Sequence, residues 1–444
     1  MILRLIYSFL YFIVLIFLLP FQYRKRPKDL RQRWLKEKFG FFNYSPGISK
    51  SPHPPFSKGG LGGIIWVHAV SVGEVIASLP LLQKLKDRYP SVSLVLSTIT
   101  DTGQRVALEK VPDRTKVIYL PFDLSFILER TLKNIQPNLF ITIETELWPN
   151  LLLMLKKRKI PAVVMNGRIS DDSFKGYKKI KFFMQSIISC VDLFCMQDAV
   201  YAGRIKELGA PEDKVRVIGS FKFDTVPSLN IPEWPKLLSH PVIIAGSTHR
   251  GEEDLIVSSY IELKKDFPDL SLIVAPRHPE RFKEVEELVK KKGLEYVKCS
   301  ELRDSPLPYP PLAKGGRWGG ELQTIKGLIV ILDAVGELAS VYGVSDVAVI
   351  GGSFIEHGGQ NLLEPAFWAK PIICGPHMEN FPFAKEFYER GAAIETDSSA
   401  LCEKLKELLQ SPEKRKSMGD KAKELYNEKA GAVEKAMKEI EKYL

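Results

Sequence analysis

From residue 64 onward the chain alternates short, continuously apolar runs with longer amphipathic stretches, and few folds accept that pattern. The runs are Ile64–Val70, Ser93–Thr98, Val117–Leu120, Leu139–Ile143, Ala162–Met165, Val191–Met196 and Val215–Gly219. Helix-like stretches such as Val75–Arg88 and Phe174–Ile188 lie between them. A strand apolar at every position must be covered on both faces, which means a parallel sheet clad by helices. The pattern pauses at 225–241, where Pro227, Pro232, Pro235 and Pro241 interrupt it. It resumes with Val242–Ala245, Leu270–Ala275, Leu328–Leu332, Val347–Ile350 and Pro371–Cys374, then ends in Lys- and Glu-rich helices from Ala400. A chain of 444 residues is too long for one core. The expectation is an α/β chain of two doubly wound sheets facing a cleft. The first domain covers 41–226, a linker 227–241 and the second domain 242–444, with ligands at the carboxyl ends of strands.

Leu5 to Phe21 is a different kind of segment, apolar apart from Ser8 and two tyrosines. As a helix it is roughly 25 Å long, short for a bilayer core of about 30 Å. No small-residue cleavage site follows, so it reads as an uncleaved membrane anchor, spanning or deeply inserted. Eight Lys and Arg between Phe21 and Phe39 face only Asp29 and Glu37, which is more than half of the chain's net +10. Nucleic-acid binding is one source of such a charge. Its place beside an apolar run argues instead for a cytoplasmic juxtamembrane segment within 1–40 that holds anionic headgroups. Five scattered cysteines without a CxxC pair exclude a disulfide framework and a zinc knuckle. A Pro-x-Pro-Pro…Lys-Gly-Gly…Gly-Gly pattern occurs twice, at 51–63 and 307–320. It lacks phosphate-loop order and is expected to be an inserted surface loop without chemistry.

Six segments at expected strand ends could carry chemistry. In Trp66-Val-His-Ala-Val-Ser-Val-Gly-Glu74, Ser71 and Glu74 have capping-box spacing. The same glutamate could be a general base, although a helix N-terminus would favour its ionised form and weaken it as a proton acceptor. Glu144 and Glu146 lie two apart before Trp148-Pro149, on one side if extended. They suit acid–base work or sugar hydroxyls, or merely decorate a helix start. Arg168, after another strand, could meet a phosphate or carboxylate, or sit in a plain turn. Ala245-Gly-Ser-Thr-His-Arg-Gly opens the second domain with Ser247 and His249, an anion site or an ordinary capped helix. Arg277 and His278 follow in a proline-stiffened loop. The most specific segment is Gly351-Gly-Ser-Phe-Ile-Glu-His-Gly-Gly-Gln-Asn-Leu-Leu-Glu364. Its glycines would let backbone amides approach a phosphate, and Glu364 could accept from ribose hydroxyls. A GxGxxG fingerprint is absent, which disfavours a nicotinamide enzyme.

Together with Gly219-Ser-Phe-Lys-Phe-Asp224, these segments in this order resemble the bacterial 3-deoxy-D-manno-octulosonic acid (Kdo) transferases of lipopolysaccharide synthesis. The resemblance covers essentially the whole chain; the repeated insertions depart from it. It implies a GT-B glycosyltransferase with two Rossmann-like domains. It implies CMP-Kdo as donor, a lipid A precursor as acceptor, and action at the cytoplasmic face of the inner membrane, with no cofactor, metal or nucleic acid. The family's catalytic glutamate falls on Glu74, as base for a direct, inverting attack. CMP would lie near Arg277, His278, Gly351, Gly352, Ser353, Asn361 and Glu364. Glu144, Glu146, Arg168, Lys222, Ser247 and His249 would line the cleft in less defined roles.

Overall fold

The computed structural model describes residues 2–42, 44, 63–304 and 325–444. The two inserted repeats therefore lie outside the described residues, apart from Gly63. The chain forms two compact units, Met1–Thr225 with Lys429–Leu444, and Val226–Glu428.

The first unit holds seven parallel strands: β1 (Ile64–His68), β2 (Ser93–Thr98), β3 (Lys116–Tyr119), β4 (Leu139–Ile143), β5 (Ala162–Gly167), β6 (Leu193–Met196) and β7 (Val215–Val217). Their order is β3-β2-β1-β4-β5-β6-β7, so the order reverses between β1 and β4. Successive side chains of a strand point to opposite faces, and both faces are dry here. Ile64 and Trp66 enter one apolar layer with Phe140 and Val164. Ile65 and Val67 enter the other with Leu94, Leu96 and Ile141. Trp66 meets Phe140 edge-on at 5.1 Å, and its indole N–H donates to the Ser97 hydroxyl at 2.9 Å.

The second unit repeats the plan with β8 (Val242–Thr248), β9 (Ser271–Pro276), β10 (Tyr296–Lys298), β11 (Ile329–Ile331), β12 (Val347–Ile350), β13 (Ile372–Cys374) and β14 (Ile394–Glu395). The order is β10-β11-β9-β8-β12-β13-β14, all pairings parallel, with reversal between β8 and β12. Two parallel, Rossmann-like sheets are thus present, the domain composition of the GT-B class. The apolar-run pattern misses β10 and β14. Both are short edge strands, and neither contains a fully buried residue.

Two expected boundaries move. The segment 227–241 is not a free linker: Trp234 and Leu238 are buried in the second unit's core with Val242 and Ile244. Nor does the second unit keep the chain to residue 444. Helix Ala432–Ile440 carries a stripe of Ala432, Val433, Ala436, Met437 and Ile440, buried with Val75, Leu82 and Phe221 of the first unit. The Asp224 carboxylate pins its start by accepting the Gly431 and Val433 amides at 2.5 and 2.7 Å. A stripe of spacing three and four can be read in the sequence, but the sheet it will cover cannot.

The N-terminal helix, Ile2–Lys25, has a mean hydropathy of 2.2 over its most apolar window and is long enough to cross a membrane. It packs along the first unit through Tyr11, Leu15, Leu19 and Tyr23, against Trp34, Tyr119, Phe122, Leu124 and Ile127.

Met437→Ala should lower the stability of the first unit by about 2–4 kcal/mol, the usual cost of emptying a core position. Urea denaturation followed by a probe in each unit should place the loss in the first unit and leave the second unchanged.

Candidate active site

In the first unit the charged groups gather at the carboxyl ends of β1, β4 and β5. β1 ends at His68, whose ring is fully buried with Nδ1 3.0 Å from the Ser97 carbonyl oxygen. Burial pushes this imidazole down to about 3, so it is a neutral core group. Beyond it the chain turns into helix Val72–Arg88, with Ser71 at the N-cap and Glu74 as third residue. The capping box is not made, because Glu74 accepts from the residue before the N-cap and not from the N-cap amide. Glu74 Oε2 accepts the Val70 amide at 2.7 Å. Ser71, however, does not cap an amide; its hydroxyl donates to Glu74 Oε1 at 2.9 Å.

The ionisation of Glu74 runs opposite to the expectation drawn from its helix position. Burial raises its carboxyl to about 7, and repulsion from Glu144 and Glu146 adds to the rise. The bonds from Val70 and Ser71 oppose the shift without cancelling it. Desolvation outweighs the helix N-terminus because the group is only 9% exposed. A carboxylate titrating near neutrality is a far better proton acceptor than an ordinary glutamate.

Glu144 and Glu146 do come together, though not by strand alternation. Glu144 has φ +59, a left-handed turn immediately after β4. Burial raises both carboxyls; Arg168 and Lys222 restrain Glu144, whereas Glu144 further raises Glu146. Burial lowers Lys222, and Glu144 opposes that shift. Arg168 is set by a two-way clasp with Thr145, whose hydroxyl donates to the Arg168 carbonyl at 2.7 Å and accepts its amide at 3.1 Å. Asn166, at φ +55, accepts the Phe221 amide and so holds the turn that carries Lys222. Glu74, Glu144, Glu146, Arg168 and Lys222 therefore form one electrostatically coupled group.

In the second unit the counterpart lies around β8 and β12. Ser247 adopts φ +56, and a Cβ on Gly351 would come within 2.4 Å of the Ser247 carbonyl oxygen. Only glycine permits that approach. His249 packs edge-on against His357 at 4.3 Å and His278 at 5.7 Å. Burial first, then its two histidine neighbours, lowers the His249 ring to about 4. Among the described residues no three His, Cys, Asp or Glu side chains are gathered as a metal site. The Arg277 amide donates to the Thr248 carbonyl at 3.0 Å. Asn361 donates to Glu364 Oε1 at 3.1 Å and accepts the Leu363 amide. Burial raises Glu364 to about 7, and Arg277 opposes that rise.

Part of the glycine turn is engaged within the unit: the Gly351 amide donates to the Gly246 carbonyl, and the Gly352 and Phe354 amides donate to Glu252. Ser353 is fully buried; its hydroxyl donates to the Ile350 carbonyl and accepts the Gly375 amide. Neither those three amides nor the Ser353 hydroxyl is offered to a phosphate. The organiser missed in the sequence is Glu252, a buried carboxylate accepting the His249, Gly352 and Phe354 amides. Its only signal was an acidic residue opening a helix, which many surface helices share.

Residues 33–225 match the family model described as 3-deoxy-D-manno-octulosonic-acid transferase (kdotransferase). The chain is 35% identical over 426 residues to the 3-deoxy-D-manno-octulosonic acid transferase of Haemophilus influenzae, covering 93% of this chain and 92% of that protein. The chain belongs to this family. It is a Kdo transferase, a glycosyltransferase. The enzyme of the same name from Chlamydophila psittaci is 29% identical, covering 94% of this chain and 93% of its own. Among solved structures, a UDP-GlcNAc 2-epimerase from Neisseria meningitidis shares the fold alone, at 12% identity and a TM-score of 0.54, covering 84% of this chain and 98% of that one.

Two outcomes follow for this Kdo transferase. With Glu74 near 7, activity should fall as pH drops below neutrality. Glu146→Gln removes one repulsive charge and should move that acid limb to lower pH, read from kcat/KM against pH. Ser353→Ala should cost about 1–2 kcal/mol of stability by stranding the Gly375 amide, while nucleotide affinity by calorimetry stays within about twofold.

Proposed function

We propose that the chain transfers Kdo from CMP-Kdo to a lipid A precursor of the lipid IVA type, by direct inverting displacement with Glu74 as general base. The observation that carries this reading is the Glu74 carboxyl, seated at the β1 end and raised to about 7. A sugar hydroxyl is too weak an acid to ionise beforehand, so its proton must leave as the new bond forms. Glu74 takes that proton. The acceptor oxygen bonds to the anomeric carbon of Kdo, the bond from that carbon to phosphate breaks, and CMP departs with the electron pair. Attack from the opposite side inverts the carbon.

Kdo carries its own carboxylate, and a desolvated anion needs a cationic partner. Arg168 and Lys222 supply two cations beside Glu144. Their charge keeps the group from becoming purely acidic, which would repel the donor. On the second unit, Arg277 is the cation for the CMP phosphate, and Glu364, held by Asn361, accepts from the ribose hydroxyls once ionised. In this reading His249 and His278, whose rings meet edge-on at 5.7 Å, lie beside the nucleotide. The acceptor is an amphiphile, so the reaction takes place at a membrane surface, the cytoplasmic face of the inner membrane in this reading.

Glu74→Gln keeps the side chain's size and removes the base. It should lower kcat by roughly 10²–10⁴-fold while CMP binding persists. The assay is CMP-Kdo with a tetraacylated lipid A precursor, products read by mass spectrometry. Retained turnover overturns the base, and turnover with a UDP-sugar alone overturns the donor.

A further inference from the structure

The N-terminal helix does not present an apolar cylinder to its surroundings. Arg4, Tyr7, Ser8, Tyr11, Leu15, Leu19 and Tyr23 recur every three or four residues and form one stripe. That stripe is fastened to the first unit along its length. Arg4 donates to Asn150 Oδ1 at 2.8 Å and to the Ser125 hydroxyl at 2.7 Å. Tyr7 donates to Asp123 Oδ2 at 2.9 Å, Asn150 donates to the Ser8 hydroxyl at 3.0 Å, and the Tyr11 hydroxyl accepts the Asp123 amide at 3.3 Å. Asp123 is itself buried and also accepts the Asn150 and Leu151 amides. Just past the other end of the helix, Arg26 is ion-paired to Asp101 at 2.5 Å and lies over the Trp34 ring.

A helix of 24 residues is about 36 Å long. Both of its ends are tied to the same water-soluble unit. If it crossed a bilayer, the Arg4 end and the Arg26 end would lie on opposite sides, and one set of bonds would have to break. The opposite face is bare: Leu5, Phe9, Ile16, Phe17 and Phe21 are all more than half exposed. The bare surface continues onto a neighbour. Tyr7 meets Phe183 at 6.0 Å, and Ile180 and Phe182 beside it are exposed as well. Exposed basic residues flank it: Lys175, Lys178, Lys179 and Lys181 on the neighbouring segment, and Arg24 and Lys25 in the last helical turn with Lys28 just beyond. An apolar strip with a cationic border fits an anionic lipid leaflet, apolar side down.

We propose that the N-terminal helix lies in the plane of an anionic leaflet, half sunk and still docked on the first unit, with Ile180 and Phe182 inserted beside it. This chooses between the spanning and the inserted anchor that the sequence leaves open. It refines the membrane part of the proposed function and does not depend on the donor or on Glu74.

The test uses the full chain bound to the outside of sealed phosphatidylethanolamine–phosphatidylglycerol vesicles. A nitrobenzoxadiazole label is placed at Leu5→Cys or at Phe21→Cys, and dithionite is added outside. Both labels should be reduced at rates within about threefold of each other, since an in-plane helix keeps both ends in one leaflet. A Leu5 label protected until detergent is added, with a reactive Phe21 label, means a spanning helix and overturns the proposal. In a second arm, Phe9→Glu/Phe17→Glu should weaken vesicle flotation by at least about tenfold, with transfer to a micellar acceptor kept. Undiminished flotation overturns the proposal too. Flotation is read without donor, so failure of the CMP-Kdo reading leaves both arms interpretable.

Discussion

A parallel sheet with both faces dry leaves one place for polar chemistry, the ends of its strands. That constraint organises each unit. Side chains of β1 and β4 alternate between two apolar layers, so no charged group can sit mid-strand without losing its solvation. Charge therefore collects where the strands stop, at Glu74, Glu144 and Glu146 in the first unit and at Arg277 and Glu364 in the second. Because those ends still border the apolar layers, the carboxyls are raised rather than left ordinary. The dry sheet thus gathers the charged groups at its edge and raises the Glu74 carboxyl to about 7.

Buried carboxylates do a second job, holding loops in place. Asp123, Asp224 and Glu252 each accept two backbone amides from a distant segment, and Glu252 also accepts that of nearby His249. The glycine turn after β12 owes its path to Glu252 and to the close approach at Gly351. The Gly351, Gly352 and Phe354 amides hold the path of the turn itself. Glycine-rich composition alone does not distinguish this use from the binding of a ligand.

Much of the fold was readable because continuous apolar runs admit one explanation. The candidate site was readable as a set of strand ends, and the resemblance supplied its proposed members. What escaped was whatever depends on a partner far along the chain. Glu74 at a helix start suggests a favoured anion until the neighbouring carboxylates and the burial are known. Ser353 looks exposed among glycines until Gly375 arrives to use its hydroxyl. The spacing of Arg4, Tyr7, Ser8 and Tyr11 was present in the sequence, but a hydropathy average hides it. That stripe is what docks the helix on the first unit.

The return of helix Ala432–Ile440 to the first unit has a consequence for biosynthesis. Residues 429–444 are translated after all of 226–428, so the unit that begins first is completed last. Until then the slot for Met437 and Ile440 stands open, and Asp224 lacks the amides of Gly431 and Val433. The second unit is contiguous in sequence and can close while the ribosome is still at work. On a nascent chain, the half that carries Glu74 therefore matures only when synthesis has passed beyond the half expected to hold the nucleotide.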